Sequence, residues 1–150
     1  MRRVLRPGGR LAVSAWGEPA RCGLGAAFGI VRAELKSDHL PAFIGMGQGD
    51  ALAAACVDAG FRQFETSRFL ATLDFADDEE ACVAAFLGGP IALAWSRLDE
   101  EARERARGRF LAAIAPWRYG RGYRIPAEFV VAAARSPEPL GAASGLTIGD

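Results

Sequence analysis

The chain has 150 residues, the length of one domain, since a single hydrophobic core commonly fills about 100–150 residues. Its 18 Lys+Arg balance its 18 Asp+Glu, and this argues against a dedicated nucleic-acid or anionic-membrane binder, which would carry a basic excess. No apolar run approaches the roughly 18–20 residues of a membrane span, and no signal-peptide segment follows the basic start MRR. We therefore expect a cytoplasmic protein.

The cysteines and the single histidine limit the possible chemistry. Cys22, Cys56 and Cys82 are scattered, so they form neither a disulfide framework nor a CxxC metal pair, and we expect small buried side chains. A multi-histidine metal site is impossible, and Ser–His–Asp or Cys–His catalysis would have to use His39. We expect no metal site.

The first third of the chain alternates turns with short regular segments. Residues 1–5 are typical of the last turn of a helix, ended by Pro7-Gly8-Gly9. The apolar run 11–16 lies between glycines and predicts a strand covered on both faces, as in a parallel α/β sheet. Apolar residues at helical spacing then predict an amphipathic helix from about Arg21 to Lys36, and 37–49 is a predicted loop.

A helix and a long strand are predicted next. Asp50 is a suitable N-cap for a helix that Gly60 ends in the left-handed conformation. From Phe61 to Phe75 the sequence alternates and predicts a strand, bent near Ser67-Arg68 where the alternation changes phase.

Two helices and a final strand follow. Asp77 and Glu80 have capping-box spacing before a helix that ends at Gly88-Gly89-Pro90. A second helix follows Asp99, and its predicted buried stripe comprises Leu98, Ala102, Ala106, Phe110 and Ile114. The run 123–134 predicts a strand with Pro126 at its start or at an irregularity. The tail from Ser136 is expected to be loose.

Three segments together resemble class I S-adenosylmethionine-dependent methyltransferases, closest to the small-molecule and ubiquinone-biosynthesis-like branch. Residues 1–17 (MRRVLRPGGRLAVSAWG) are similar to the family's helix end and fifth strand. Residues 58–61 (DAGF) resemble the segment before its sixth strand, and 124–129 (RIPAEF), followed by VVAAARS, resemble its final strand. The resemblance spans residues 1 to about 136 in the family's order.

This resemblance implies a fold. The expected architecture is α/β, a partial Rossmann-like methyltransferase sheet of three strands with two inserted helices. Strand 11–16 is expected at one edge, strand 123–134 antiparallel in the middle and strand 61–75 at the far edge. Residues 1–136 would form the C-terminal part of a methyltransferase-like domain, and 137–150 a loose tail.

The resemblance also implies a function. Residues 1–136 would be the substrate-side half of a small-molecule methyltransferase. The family's S-adenosylmethionine-binding segments precede the part that residues 1–17 resemble. We therefore assign no cofactor-binding residue and expect the isolated chain to be inactive. A non-enzymatic binding or dimerisation module derived from a methyltransferase is the alternative.

One candidate pocket lies near the end of the first strand. Ligands of doubly wound sheets bind beyond the carboxyl ends of strands, so Trp16 is a candidate substrate-binding residue together with Phe28, Phe43 and Met46. Core packing of these residues is the alternative. The catalytic residue is unknown. His39 is either a general base or an exposed loop histidine, and Glu18 has a similarly weak claim.

Two other motifs also admit two interpretations. Residues 45–49 (GMGQG), with Glu65 twenty positions after Gly45, imitate a nucleotide-binding loop. The strand before that loop would be only Phe43-Ile44, which favours a turn-rich linker. Three aromatic residues on the inserted segment belong either to a substrate cap or, as we expect, to the core; they are Trp95, Trp117 and Tyr119.

Strand 11–16 is also expected to need a partner. In the resembled fold it pairs with a strand outside the matched region, and its free edge and apolar faces would favour aggregation. We expect a homo-oligomer or a partner chain to cover it, and a hydrophobic small molecule is a further possible partner.

Overall fold

A computed structural model describes residues 1–36, 42–89 and 91–137, with the side chains of 42–44 and 63 outside the description. The strands are β1 (Arg10–Trp16), β2 (Gln63–Phe75), β3 (Arg118–Tyr119) and β4 (Gly122–Arg135). The helices are α1 (Ala26–Leu35), α2 (Ala51–Asp58), α3 (Asp78–Phe86), α4 (Ile91–Trp95) and α5 (Glu100–Ile114). The chain is therefore a mixed α/β protein. None of the helices in these ranges has the length and apolar character needed to cross a bilayer.

The four strands form one antiparallel sheet in the order β1-β4-β2, with β3 also pairing with β4. The β1–β4 register runs from Arg10 opposite Arg135 to Trp16 opposite Phe129. The β2–β4 register runs from Gln63 opposite Arg135 to Phe75 opposite Tyr123. The predicted order, with strand 123–134 antiparallel between the other two, is confirmed.

Opposite faces of the sheet are covered at its two ends. At the start of β4, Tyr123 and Ile125 pack against α1, α3, α4 and α5. We call this side face A. Near the end of β4, Val130, Ala132 and Ala134 pack on the other side, face B, against Leu52 and Cys56 of α2. Successive side chains of a strand point to opposite faces, so these two groups of residues lie on different sides of the sheet. Face A is covered over the start of β4 and face B over its end, an arrangement that we call diagonal coverage.

This diagonal arrangement explains the change of phase in β2. Phe64 packs on face B, whereas Phe75 packs on face A. The pairing of β2 with β4 continues without an extra residue through Ser67 and Arg68. The change of phase near Ser67-Arg68 therefore does not come from a bulge. The apolar residues change phase because the covered face changes, while the register is kept.

The prediction of a first strand covered on both faces is also wrong. Along β1, exposed and half-buried residues alternate until Ala15. Leu11, Val13 and Ala15 pack against the face B cluster. Ala12 and Ser14 point to the other side and are exposed. One face of β1 is thus covered by the described residues.

The N-terminal half contains less α-helix than predicted. A 3-10 turn at Arg2–Val4 stands where a helix end was expected. The predicted helix from Arg21 begins only at Ala26, after 3-10 turns at Pro19–Arg21 and Gly23–Gly25. Glycine in a helix interior costs about 1 kcal/mol relative to alanine, which accounts for the late start. The predicted loop contains a 3-10 turn at Ala42–Gly47, and residues 37–41 lie outside the described residues.

The observed helix ends agree with the sequence-based predictions better than the elements of the N-terminal half do. The Asp77 carboxylate accepts a hydrogen bond from Glu80 N at 2.9 Å, and the Glu80 carboxylate accepts one from Ala76 N at 2.6 Å. The Asp99 carboxylate accepts one from Ala102 N at 2.8 Å. Asp50 precedes α2 but forms no side-chain capping bond. Gly60 ends that segment with φ +81°, as predicted. The predicted buried stripe of α5 is confirmed, since Leu98, Ala102, Ala106, Phe110 and Ile114 are all buried.

Two short elements were not predicted. The structure places α4 and β3 between β2 and β4, so the insertion has three α-helices instead of two and the sheet has four strands instead of three. Pro126 lies inside β4, opposite Thr72, and not at the strand start. Its nitrogen is on the side of β4 that faces β1, but β1 ends opposite Phe129. The missing N–H therefore removes no ladder bond.

Candidate functional site

A cavity of about 280 Å³ lies beyond the carboxyl end of β1. Trp16 and Gly17 end the strand on one side of it, and Pro19, Cys22 and Leu24 follow on the 3-10 turns. The helix α1 contributes Phe28 and α3 contributes Ala84 and Ala85. Gly25, Gly88 and Gly89 complete the lining. Because glycine has no side chain, these residues leave open the space that the Trp16 and Phe28 rings border.

The cavity offers an apolar surface with little acid–base chemistry. Among the described residues that line it, Cys22 is the one with an ionisable side chain. Its thiol is buried and donates a hydrogen bond to the Glu128 carbonyl oxygen at 3.4 Å. Such a cavity favours a small neutral apolar molecule, which would be bound by burial of its surface.

The structure brings together two of the four predicted substrate-binding residues. Trp16 and Phe28 line the same cavity, and the Trp16 ring lies 4.9 Å from the Phe129 ring on face A. Met46 lies elsewhere, in a separate cavity of about 400 Å³ that also contains Leu11 and Leu52. The side chain of Phe43 is outside the described residues. Met46 and Trp16 therefore line different cavities in this structure.

A buried carboxylate stands directly behind the cavity wall. Glu128 is on β4 and is 1% exposed. One of its oxygens accepts a hydrogen bond from the Glu18 backbone N–H at 2.8 Å, and Arg68 contacts the same oxygen at 3.0 Å. The other oxygen is 2.8 Å from the Arg21 guanidinium. Glu128 therefore joins the turn after β1 to both β4 and β2.

A second set of contacts extends this network to the start of α2. The Glu18 carboxylate accepts a hydrogen bond from the Gly49 N–H at 2.8 Å. The Arg68 guanidinium, besides contacting Glu128, donates to the Gly49 carbonyl oxygen. The network thus connects four chain segments, three at Glu128 and the fourth through Glu18 and Arg68, and it includes the 3-10 turn that carries Arg21 in one wall of the cavity.

The backbone at position 17 lies so close to the Glu128 side chain that glycine is required there. A Cβ atom on Gly17 would lie 2.3 Å from a Glu128 carboxylate oxygen and 2.6 Å from Glu128 Cγ. The Gly17 N–H also donates to the Glu128 carbonyl oxygen at 2.7 Å. Any larger residue at this position would displace the carboxylate.

The network also determines the protonation of Glu128. The hydrogen bond from the Glu18 backbone holds the pKa of Glu128 below its ordinary value of 4.5. Burial opposes this shift, and the guanidinium of Arg21 adds to it through a hydrogen bond and through its charge. Glu128 is therefore an anion at neutral pH.

A second polar cluster anchors the start of α3; in it Tyr123 is buried, whereas the side chains of Asp78 and Arg118 are about half exposed. The Asp78 carboxylate accepts hydrogen bonds from the Tyr123 hydroxyl and the Arg118 guanidinium, each at 2.8 Å. These bonds lower the pKa of Asp78, that from Tyr123 most strongly. Burial, followed by the hydrogen bond to Asp78, raises the pKa of Tyr123. The three groups satisfy one another away from the cavity, so we read the cluster as structural.

The glycine motif forms no nucleotide-binding loop of the usual kind. The segment before Gly47 is the 3-10 turn at Ala42–Gly47, where that interpretation required a strand. Glu65 lies inside β2, opposite Ala133. A Cβ on Gly47 would lie 1.6 Å from the Trp16 carbonyl oxygen, so this turn packs tightly against the end of β1.

The other residues considered in the sequence analysis are three aromatic residues, the cysteines and His39, and those that the structure describes differ in burial. Trp95 is buried and stacks on Phe86 at 4.2 Å, as expected for the core, whereas Tyr119 is exposed beneath the Arg124 guanidinium. Trp117 is partly buried against the same core. The expectation that all three cysteines are buried is confirmed. His39 lies outside the described residues.

Sequence reasoning missed Glu128, Arg21 and Arg68. One signal in the sequence could have indicated this network. Glu128 is an acid in the otherwise apolar run IPAEFVV of the central strand, and a buried carboxylate requires charged or hydrogen-bonding partners. No family model matches the chain, and no curated protein matches it. The structural arrangement of the cavity and of the Glu128 network is therefore the basis on which function has to be inferred.

Proposed function

We propose that residues 1–136 form the substrate side of an S-adenosylmethionine-dependent small-molecule methyltransferase with a Rossmann-like sheet. The observation that carries the proposal is the strand order β1-β4-β2, with the segment 122–135 antiparallel in the middle. This is the order implied by the three segments that resemble the family. An aromatic cavity at the carboxyl end of β1 adds support, since ligands of doubly wound sheets bind at such ends.

In this proposal the cavity of Trp16 and Phe28 takes the methyl acceptor. Its apolar lining fits a small neutral acceptor with an aromatic or quinol ring. The described residues would contribute to transfer mainly by positioning, because alignment of the acceptor atom with the methyl carbon supplies much of the rate. We assign no donor-binding role to any described residue and expect no binding of S-adenosylmethionine by the 150-residue chain.

The acceptor site is tested by titrating the chain with 2-naphthol, a small neutral two-ring probe, in a calorimeter. Ala84→Leu would fill the cavity from the exposed surface of α3 and is expected to weaken binding by at least about tenfold. Val83→Leu is the matched control, because Val83 is exposed on the same helix and does not line the cavity. Equal affinities of the two variants, or no binding, would overturn the acceptor site.

The donor is tested separately with S-adenosylhomocysteine. The chain is expected to give no binding heat, and micromolar affinity would contradict the assignment of the donor site to other residues. The DNA upstream of codon 1 gives an independent test. An in-frame stretch encoding a D-x-G-x-G strand and loop would support the methyltransferase.

A non-enzymatic binding module is the second candidate. It is favoured by the cavity lining, in which the described residues supply no carboxylate or imidazole that could act as a general base. A stop codon in the upstream frame, with retained binding of 2-naphthol, would favour this module over the methyltransferase.

A further inference from the structure

The walls of the cavity beyond β1 are held in two different ways. Phe28 lies on α1 and Ala85 on α3, and the buried residues of both helices belong to the larger core cluster. Another wall is the segment 18–22, which we call the wall turn and which contributes Pro19 and Cys22 to the lining. Helices packed into a core move only when the core opens, whereas a turn outside the core can open locally.

Glu128 is the residue that attaches the wall turn to the sheet. Its carboxylate accepts a hydrogen bond from the Glu18 N–H and one from the Arg21 guanidinium, each at 2.8 Å. Its carbonyl oxygen accepts one from the Cys22 thiol at 3.4 Å and one from the N–H of Gly17, just before the turn, at 2.7 Å. The attachments of this part of the chain thus converge on a single residue of β4.

Apolar packing contributes little to the position of the wall turn. None of residues 18–22 belongs to either core cluster, and Cys22 is the one buried side chain among them. The Arg21 side chain is 60% exposed, and the hydrogen bond from the Gly49 N–H to the Glu18 carboxylate is exposed too. A segment that buries little apolar surface gains little from the hydrophobic effect, so its attachment depends on Glu128.

We propose that Glu128 is the positioning residue of the cavity and that the wall turn opens and closes over it as a local unit. On opening, the carboxylate keeps its contact with Arg68 on β2 at 3.0 Å, and water replaces the Glu18 N–H and Arg21. The buried charge is compensated in both states, which keeps the free energy of opening below that of unfolding the core. That the opening admits the methyl acceptor rests on the proposed function, whereas the opening itself does not.

The native cysteines report the opening. The thiol of Cys22 is buried while the wall turn is closed, and that of Cys82 is buried on α3 in the larger core cluster. Labelling of the folded chain with N-ethylmaleimide, with mass spectrometry of the peptides, gives a rate at each thiol. Because local opening is more frequent than opening of the core, Cys22 is expected to react at least about tenfold faster than Cys82. Equal rates would overturn the local unit.

Glu128→Gln tests the positioning role. The amide carries no charge and presents a donor where the carboxylate offered two acceptors, so Arg21 or Glu18 N–H loses its partner. The labelling rate of Cys22 is expected to rise at least about tenfold. An unchanged rate at Cys22 would overturn the proposal.

Glu34→Gln is the matched control. The Glu34 carboxylate is 10% exposed and pairs with Arg105 and Arg109, so the substitution also removes a largely buried charge held by two arginines, but between α1 and α5. It is expected to leave the Cys22 rate unchanged. Equal acceleration of Cys22 in Glu34→Gln and Glu128→Gln would show that Cys22 reacts through general destabilisation, and this too would overturn the proposal.

A surface variant tests the same point without altering a buried side chain. Arg21→Gln removes a largely exposed partner of Glu128 and is expected to accelerate labelling of Cys22 about threefold or more. Arg97→Gln removes an exposed arginine between α4 and α5 and is expected to have no effect on Cys22. Equal Cys22 rates in these two variants would contradict the attachment through Glu128.

The probe 2-naphthol separates this inference from the proposed function. Bound in the cavity, it is expected to slow the labelling of Cys22 and to leave that of Cys82 unchanged, because the wall turn closes over it. An unchanged Cys22 rate would overturn the acceptor site. The rates measured without the probe decide separately whether Glu128 positions the wall turn.

Discussion

The backbone N–H of Glu18 and the buried carboxylate of Glu128 lie 2.8 Å apart, across the point where β1 ends. Arg21 contacts the same carboxylate from the next turn, and its guanidinium stays largely exposed. This arrangement compensates a buried charge with one backbone donor and two arginines, the second being Arg68. The ionised carboxylate of Glu128 thus ties the turns that form one wall of the cavity to β4.

The first prediction concerns pH. The folded pKa of Glu128 lies below 4.5, so its contribution to stability is present above pH 4.5 and is lost as the pH falls through the folded value. Glu128→Gln is expected to lower the Tm at pH 7 and to flatten the loss of Tm in acid. The measurement is thermal unfolding between neutral pH and acid. Asp78 also titrates low, so some acid dependence should remain.

Glu65→Gln is the control for that experiment, because it removes an exposed carboxylate from β2. It is expected to leave the Tm at pH 7 nearly unchanged, since surface substitutions usually change stability by less than about 0.5 kcal/mol. A Glu128→Gln variant as stable as the parent at pH 7 would contradict the role assigned to the network.

The second prediction compares two glycines. Gly17→Ala would place a methyl group 2.3 Å from the Glu128 carboxylate and is expected to destabilise the fold. Gly29 is exposed on α1, and a Cβ there would meet nothing within 4 Å. Gly29→Ala is therefore expected to stabilise the protein by about 0.5–1 kcal/mol. Urea unfolding of both variants measures the difference, and a neutral Gly17→Ala would refute the close approach.

The third prediction concerns the larger core cluster. Phe110 on α5 is fully buried and lies 5.2 Å from the Phe86 ring. Phe110→Ala is expected to cost about 3–5 kcal/mol in unfolding free energy, because it leaves a cavity between helices and sheet. Glu104→Ala, exposed on the same helix, is expected to change it by less than about 0.5 kcal/mol. Similar losses in both variants would show that Phe110 is not packed as described.

The fourth prediction separates two helix N-caps. The Asp99 side chain accepts a hydrogen bond from Ala102 N at 2.8 Å, and Asp99→Ala is expected to cost about 1 kcal/mol. Asp50 precedes α2 without a side-chain capping bond, so Asp50→Ala is expected to cost less. Urea unfolding of the two variants ranks the caps. The opposite ranking would contradict the capping geometry.

The main helix ends could be predicted from the sequence because their determinants, Asp77, Asp99 and Gly60, act within one turn of the chain. The order of the strands has no such local signal, and it was predicted from the resemblance of three segments to a known family. The diagonal coverage of the sheet was not predictable, because the change of phase between Phe64 and Phe75 is also what a bulge would produce. Pairing across the whole of β2 distinguishes the two explanations.

The candidate site was predictable only in part, for a similar reason. Trp16 could be placed at a strand end by pattern, and its neighbour Phe28 by helical spacing. The partners of Glu128 are separated from it by 107 positions for Arg21 and by 60 for Arg68. Such long-range contacts leave no local pattern. A buried acid indicates that partners exist without indicating which residues they are.

The diagonal covering of the sheet has a consequence for how the protein opens. The cluster that contains α2 and the cluster that contains α5 are built on different halves of β4 and on opposite faces. Loss of α2 would expose Val130 and Ala132 while Tyr123 and Ile125 stayed packed. Backbone amides of α2 should therefore exchange with deuterated solvent through a local event, and those of α5 only when the whole domain unfolds.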